Sequence, residues 1–256
     1  METMPYRTDL VPPSHEQPAA PVTASDWRVK LPVLTGTQVT LRDLRVTDAP
    51  ALFLFLTTEE VTRFISPPPT TVEGFERFIV WTHERRAAGS HACFAVTLTG
   101  TTTAIGIIQV RDLATGFDTA EWGFAVGSPF WGTGVFADAA ALVLNFTFDI
   151  LGVRRLEARA ATANGRGIGA LRKIGAVAEG RLRKTFYKSG VYLDQMLYAI
   201  LDVEWRNYRS KFSTRASSKP ASRPELLLLV DHEHRLAGRL GDGLHRQPAA
   251  RCQSGC

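Results

Sequence analysis

The segment that constrains this chain most is Trp131-Gly132-Thr133-Gly134-Val135, because of what stands on either side of it. Ahead of it, Thr119 to Val126 reads as a strand continued through Gly127-Ser128-Pro129-Phe130. Behind it, a helical pattern runs from about Thr133 to Leu151. Strand, glycine-rich turn, helix is a phosphate-binding arrangement. The glycines free the backbone to aim several N–H groups into one concavity, and a helix N-terminus adds roughly half a positive charge there. No Gly-Lys-Ser/Thr closes the turn and a third glycine is missing, so nucleoside triphosphates and nicotinamide dinucleotides fit poorly. A ligand with paired phosphates held by backbone contacts fits better.

The rest of the chain reads as one domain between two tails. Residues 1–30 carry five prolines among small and polar residues, too little apolar area to offset chain entropy, so disorder is expected there. Residues 209–256 are expected to form a basic, low-order tail, in which Leu226-Leu227-Leu228-Leu229-Val230 is isolated. Of the formal net charge of +5, residues 31–210 account for nineteen Lys and Arg against seventeen Asp and Glu, and residues 211–256 for eight against four. A body near +2 does not suit a phosphate-tracking surface, which makes nucleic acid an unlikely partner. No run of about 18 apolar residues suggests a membrane span, and the start lacks signal-peptide order, so the expectation is a cytoplasmic protein. Cys93 sits in an apolar stretch, Cys252 and Cys256 lie at the far end, and no metal-ligand spacing is visible.

Within residues 31–208 the patterns alternate between periods. Gln38 to Leu44 alternates as a half-buried strand, and Thr47 and Asp48 offer caps for a helix through Leu56. After Pro67-Pro68-Pro69, helical spacing of Phe75, Phe78, Ile79 and Thr82 predicts a helix from Thr71 to Ala88. Strands are expected at Ala92 to Leu98, Ala104 to Arg111 and Thr119 to Val126, then at Arg155 to Ala160, Ala178 to Phe186 and Tyr192 to Leu201, with a helix at Asn164 to Ile174. A meander followed by helices between strands gives a mixed-sheet, three-layer α/β (α+β) domain.

Five ordered blocks carry a resemblance to a known family. They are Glu121 to Phe124, Phe130 to Val135, Phe146 to Glu157, Asn164 to Gly175, and Glu179 to Arg183 with Asp194 to Tyr198. From about Val33 to Trp205 the chain resembles a GNAT acetyltransferase of the RimJ/RimL type. The resemblance implies a three-layer sandwich with a mixed, mostly antiparallel central sheet. It implies acetyl-coenzyme A as co-substrate, with no metal, and an amine-bearing small molecule or protein N-terminus as acceptor. The backbone of Trp131, Gly132, Thr133, Gly134 and Val135 would hold the pyrophosphate, and Phe124, Ala125 and Val126 would pair with the pantetheine arm. Asn164 matches the family asparagine facing that arm. Two departures stand out: Phe136 replaces the usual small residue, placing a ring near the phosphates, and Gly167 replaces a serine proposed as the acid.

Acetyl transfer needs a base for the amine and donors for the thioester carbonyl. Glu121 is the first candidate base, because alternation along its strand aims it toward the cleft, with Asp194 and Glu179 behind it. Tyr187 and Tyr192 are candidate acids or pocket walls. Arg166, Arg172 and Lys173 are candidates for the adenosine 3′-phosphate, with Arg172 the expected cofactor-binding residue among them. His83 is expected on an exposed helix face, and the six histidines suggest neither a triad nor a metal site. The assembly is expected to be a monomer or homodimer. Two other classes remain open: a catalytically silent acyl-CoA binding module, and a ribosome- or nucleic-acid-associated protein acting through its basic tail.

Overall fold

A computed structural model describes residues 26–113 and 116–217, with side chains described through residue 209. The helices are α1 (Ala49–Leu56), α2 (Glu59–Thr62), α3 (Val72–Ala87), α4 (Val135–Asn145), α5 (Gly165–Lys173) and α6 (Asp202–Ser217). The strands are β1 (Leu34–Thr35), β2 (Val39–Asp43), β3 (His91–Leu98), β4 (Ala104–Asp112), β5 (Thr119–Val126), β6 (Arg155–Ala161), β7 (Val177–Lys188) and β8 (Val191–Leu201). All eight strands form one sheet in the order β1-β2-β3-β4-β5-β6-β8-β7. Each pairing is antiparallel except β5 with β6, which is parallel and therefore needs a crossover, supplied by α4.

The register divides the side chains between two faces. Phe94, Ile108 and Phe124 are cross-strand partners, and on their face Phe94 meets Phe146 at 5.0 Å while Phe124 meets Phe136 of α4 at 4.5 Å. His91, Arg111, Glu121 and Glu157 form another row on the opposite face, where the His91 ring meets Trp81 of α3 at 5.1 Å. The α1 helix packs on α3 and so shares that second face, whereas α4 contacts both α5 and α6 on the first. Three layers result, as expected, with every residue of β3 buried between them.

Local chemistry accounts for the helix limits. The Thr71 hydroxyl accepts from the Gly74 N–H at 3.0 Å and caps α3, which buries Phe75, Ile79 and Thr82 and gives way at Gly89, where φ is +74°. The long helix expected from Thr133 to Leu151 is instead α4 followed by a π turn at Phe146–Ile150, closed by Gly152 at φ +73°. That turn buries Phe146, Thr147 and Phe148 at once.

Several expectations need correction. Residues 26–30, assigned to the tail by composition, form a turn in which Val29 N–H donates to the Asp26 carbonyl, and the Trp27 ring meets Phe117 edge-on at 5.6 Å. One aromatic anchor outweighs the local polarity. At the other end α6 runs through Ser217, past the boundary expected at 208. His83 does not stand free on an exposed helix face: its Nε2 lies 3.0 Å from the Leu44 carbonyl oxygen and 3.7 Å from Asp43 Oδ1. The expected tails before residue 26 and after 217 otherwise lie outside the described residues. Among the described residues, no helix is long and apolar enough to cross a membrane.

Candidate active site

The two parallel strands part company early. β5 and β6 pair only at Thr119 with Arg155, Ala120 with Leu156 and Glu121 with Glu157. β5 continues to Val126 and β6 to Ala161 with no pairing between them, which opens a gap bounded by two strand edges. Each strand leads from this gap to a helix N-terminus, β5 to α4 and β6 to α5. Two partial positive charges therefore converge on one mouth.

At the first of these termini the bend is held open by its glycines. Gly132 has φ +78° and Gly134, the N-cap of α4, has φ +97°. Those values belong to the left-handed region that favours glycine. The Thr133 hydroxyl donates to the Phe130 carbonyl at 2.7 Å and the Trp131 indole Nε1–H to the Val126 carbonyl at 2.8 Å, so side chains brace the turn from outside. Among the described residues, neither a carbonyl nor a side chain accepts from the N–H groups of Gly132, Thr133 or Gly134. Unspent amides at a helix N-terminus form an anion cradle. Phe136 does not crowd it: its ring turns onto the sheet, tilted against Phe124 at 4.5 Å and stacked on Trp122 at 6.4 Å.

At the second terminus Asn164 is the N-cap of α5, its Oδ1 accepting from the Gly167 N–H at 2.9 Å. The segment Asn164 to Gly167 is thus a capped helix start. Gly167 allows this, because a Cβ there would lie 2.5 Å from Asn164 Nδ2. Arg166 sets its guanidinium 4.3 Å from the Trp131 ring centroid, joining the two termini across the mouth. Arg172 sits in the last turn of α5, at the far end from Asn164. Of the arginines weighed from sequence, the fold brings Arg166 to the cradle.

Glu121 faces the other way, toward the α1 and α3 side, and its side chain is 14% exposed. Its Oε2 accepts from Arg111, its cross-strand partner, and its Oε1 lies 3.8 Å from Arg159 of β6. Asp194 is not its neighbour: pairing puts Ala199 and Leu197 on the Glu121 face, and alternation puts Asp194 on the opposite one. There Asp194 accepts from the Lys184 N–H at 2.8 Å and from Arg181 Nε at 2.7 Å, and these bonds hold its carboxyl below the usual range. Glu179 is likewise lowered by the hydrogen bonds from Arg155. Tyr187 and Tyr192 are cross-strand partners near the hairpin tip with rings 4.8 Å apart, and both are exposed. The structure therefore gathers Glu121, Arg111 and Arg159 but not Glu121, Tyr187 and Asp194.

One positioning residue was missed from sequence. Asp138, in the first turn of α4, is buried and accepts from the N–H groups of Gln38 at 2.7 Å, Val39 at 3.0 Å and Thr37 at 3.3 Å, and from the Thr37 hydroxyl at 3.2 Å. It ties the cradle helix to the β1–β2 turn. The signal was present, since an acidic residue in a first helical turn favours the N-terminus, but its partners lie about a hundred residues away.

Comparison with known proteins defines the class. Residues 38–177 match the model of the acetyltransferase (GNAT) domain. The chain belongs to the GNAT acetyltransferase family and has its fold. It is 28% identical over 184 residues to the uncharacterized N-acetyltransferase YoaA of Bacillus subtilis, covering 66% of this chain and 97% of that one. To the uncharacterized N-acetyltransferase p20 of Bacillus licheniformis it is 25% identical, over 66% of this chain and 95% of that one. Among solved structures, Mycobacterium smegmatis RimJ in complex with CoA-disulfide superposes with a TM-score of 0.67 at 20% identity, over 75% of this chain and 96% of that one, a likeness of fold.

Proposed function

We infer that this N-acetyltransferase moves an acetyl group from acetyl-coenzyme A to a primary amine by direct attack in a ternary complex. The observation that carries the reading is the parting of β5 and β6 after Glu121 and Glu157, with two helix N-termini on one side of the gap and an ion-paired carboxylate on the other. The residues present fit the co-substrate. The free amides of Gly132, Thr133 and Gly134 grip the pyrophosphate, Arg166 adds charge beside it, and the released edge of β5 at Phe124 and Ala125 pairs with the pantetheine arm. Acetyl-coenzyme A supplies the activated thioester.

This chain's own residues then do the rest. Glu121 draws the acceptor's ammonium to the gap and takes its proton, directly or through one water. Arg111 fixes the carboxylate by its Oε2 and leaves Oε1 toward the gap. The test is titration of released thiol when the full chain is incubated with acetyl-coenzyme A and a panel of peptides, amino acids, polyamines and aminoglycosides. Acceptor-dependent thiol release is expected. Coenzyme binding without release would make the chain an acyl-CoA binding module, and absence of binding by calorimetry would overturn the reading altogether.

A further inference from the structure

Around Glu121, the arginines Arg111, Arg155 and Arg159 stand among the carboxylates of Glu121, Glu157 and Glu179, and they are not equally engaged. Arg155 is fully engaged, its Nε donating to Glu157 at 2.9 Å and its two terminal nitrogens to Glu179 at 2.9 and 2.5 Å. Arg159 is not. Among the described residues its guanidinium makes no hydrogen bond, its nearest carboxylate oxygen is Glu121 Oε1 at 3.8 Å, and its side chain is 39% exposed. Since Arg111 already touches Glu121, neutralising that carboxylate does not require a second arginine. Arg159 stands on the length of β6 that has separated from β5, on the Glu121 face, and its planar guanidinium carries donors that no acceptor among the described residues takes up.

A guanidinium with open donors repels a polycation and matches a carboxylate, which it can hold through two parallel hydrogen bonds. Lys188, close to the tip of the β7–β8 hairpin, donates from Nζ to the Ile65 carbonyl at 3.1 Å and so ties the hairpin to the segment between α2 and α3. We propose that the acceptor is a small zwitterion, an α-amino acid or close analogue with a free carboxylate. Glu121 places its ammonium and Arg159 its carboxylate. The proposal rests on the acetyl-transfer reading above. In the reaction a nitrogen–carbon bond forms at the α-amine and the carbon–sulfur bond of the thioester breaks. The ammonium gives up two protons, of which one ends on the coenzyme A thiol and one in solvent.

The experiment measures thiol release by the full chain at saturating acetyl-coenzyme A, using matched acceptors that differ only at the carboxylate: free L-amino acids, their amides and the decarboxylated amines. The expected preference for the free acid in kcat/KM is about 10- to 100-fold, the range of one charge-assisted bidentate contact. Arg159→Gln should raise the KM for the acids by about that factor, leave the KM for acetyl-coenzyme A unchanged, and bring acids and amides within about threefold. Arg159→Lys, which keeps the charge without the fork, should fall between. Equal use of acids and amides by the unaltered chain would overturn the proposal, as would a preference that survives Arg159→Gln. Better turnover of polyamines or peptides would overturn it too, with the transferase reading intact, whereas no thiol release from any amine would bring down both.

Discussion

Replacing Gly134 by valine should abolish coenzyme binding while leaving a folded protein. Residue 134 has φ +97°, and a Cβ built there lies 2.6 Å from Gln38 Nε2. Left-handed backbone costs a side-chain-bearing residue about 1–2 kcal/mol, and a β-branched residue is a genuine outlier there. Gln38 must also move. The bend relieves both by turning back, which carries the Gly132 to Gly134 amides away from their common focus. Each charge-assisted amide contact with phosphate contributes about 1.5–3 kcal/mol, so losing two weakens binding by about 10²- to 10⁴-fold. The fold survives because Asp138, not residue 134, anchors α4. A Tm decrease of about 3–8 °C is expected from strain of this size in a domain of this length. Calorimetric titration of coenzyme A into Gly134→Val, beside a thermal melt, makes the measurement. Gly132→Ala is the control, since its φ is +78° but no atom lies within 4 Å of its Cβ, and it should lose only about tenfold. Binding by Gly134→Val within threefold of the unaltered chain would refute this account of the bend.

Asp138→Ala strands the N–H groups of Gln38 and Val39 in the interior; a loss of about 2–4 kcal/mol in urea unfolding is expected, and a loss below about 1 kcal/mol would show that the carboxylate is dispensable. His91 is pushed down to about 4, chiefly by burial and against the hydrogen bond that its Nε2–H donates to Gln109 Oε1, so its neutral form is favoured on folding. Its contribution is full above the unfolded value of about 6.5 and is lost as pH falls toward 4, on the order of 3 kcal/mol; His91→Gln should flatten urea midpoints across that window, and an unchanged pH profile would contradict it. Gly167→Ser should displace the Asn164 cap and lower stability by about 1 kcal/mol without raising kcat. A faster enzyme would show that position 167 lacks only a hydroxyl.

Local chemistry is what the sequence displays well. The limits of β5 at Thr119 and Val126, the start of α3 beside Thr71 and the glycine bend are each fixed by neighbours within a few residues, and each is where the letters put it to within a residue. What could not be read is set by pairing across distance. The parting of β5 from β6 depends on where two strands about thirty residues apart cease to match. Which face Glu121 and Asp194 occupy follows from register, and Asp194 looked catalytic until β8 was seen to turn it away and hand it to Arg181. Arg166 and Arg172 are alike as letters, and only the contact with Trp131 separates them. Trp27 and the extension of α6 fall in polar text whose anchors lie elsewhere in the fold.

The most direct test of the cradle is to compare the affinities of coenzyme A and pantetheine, which lacks the pyrophosphate, for the unaltered chain by calorimetry. Among the described residues nothing accepts from the amides of Gly132, Thr133 and Gly134, so coenzyme A should bind at least about 100-fold more tightly. Equal affinities would mean that the bend before α4 holds nothing, and the account would fail at its centre.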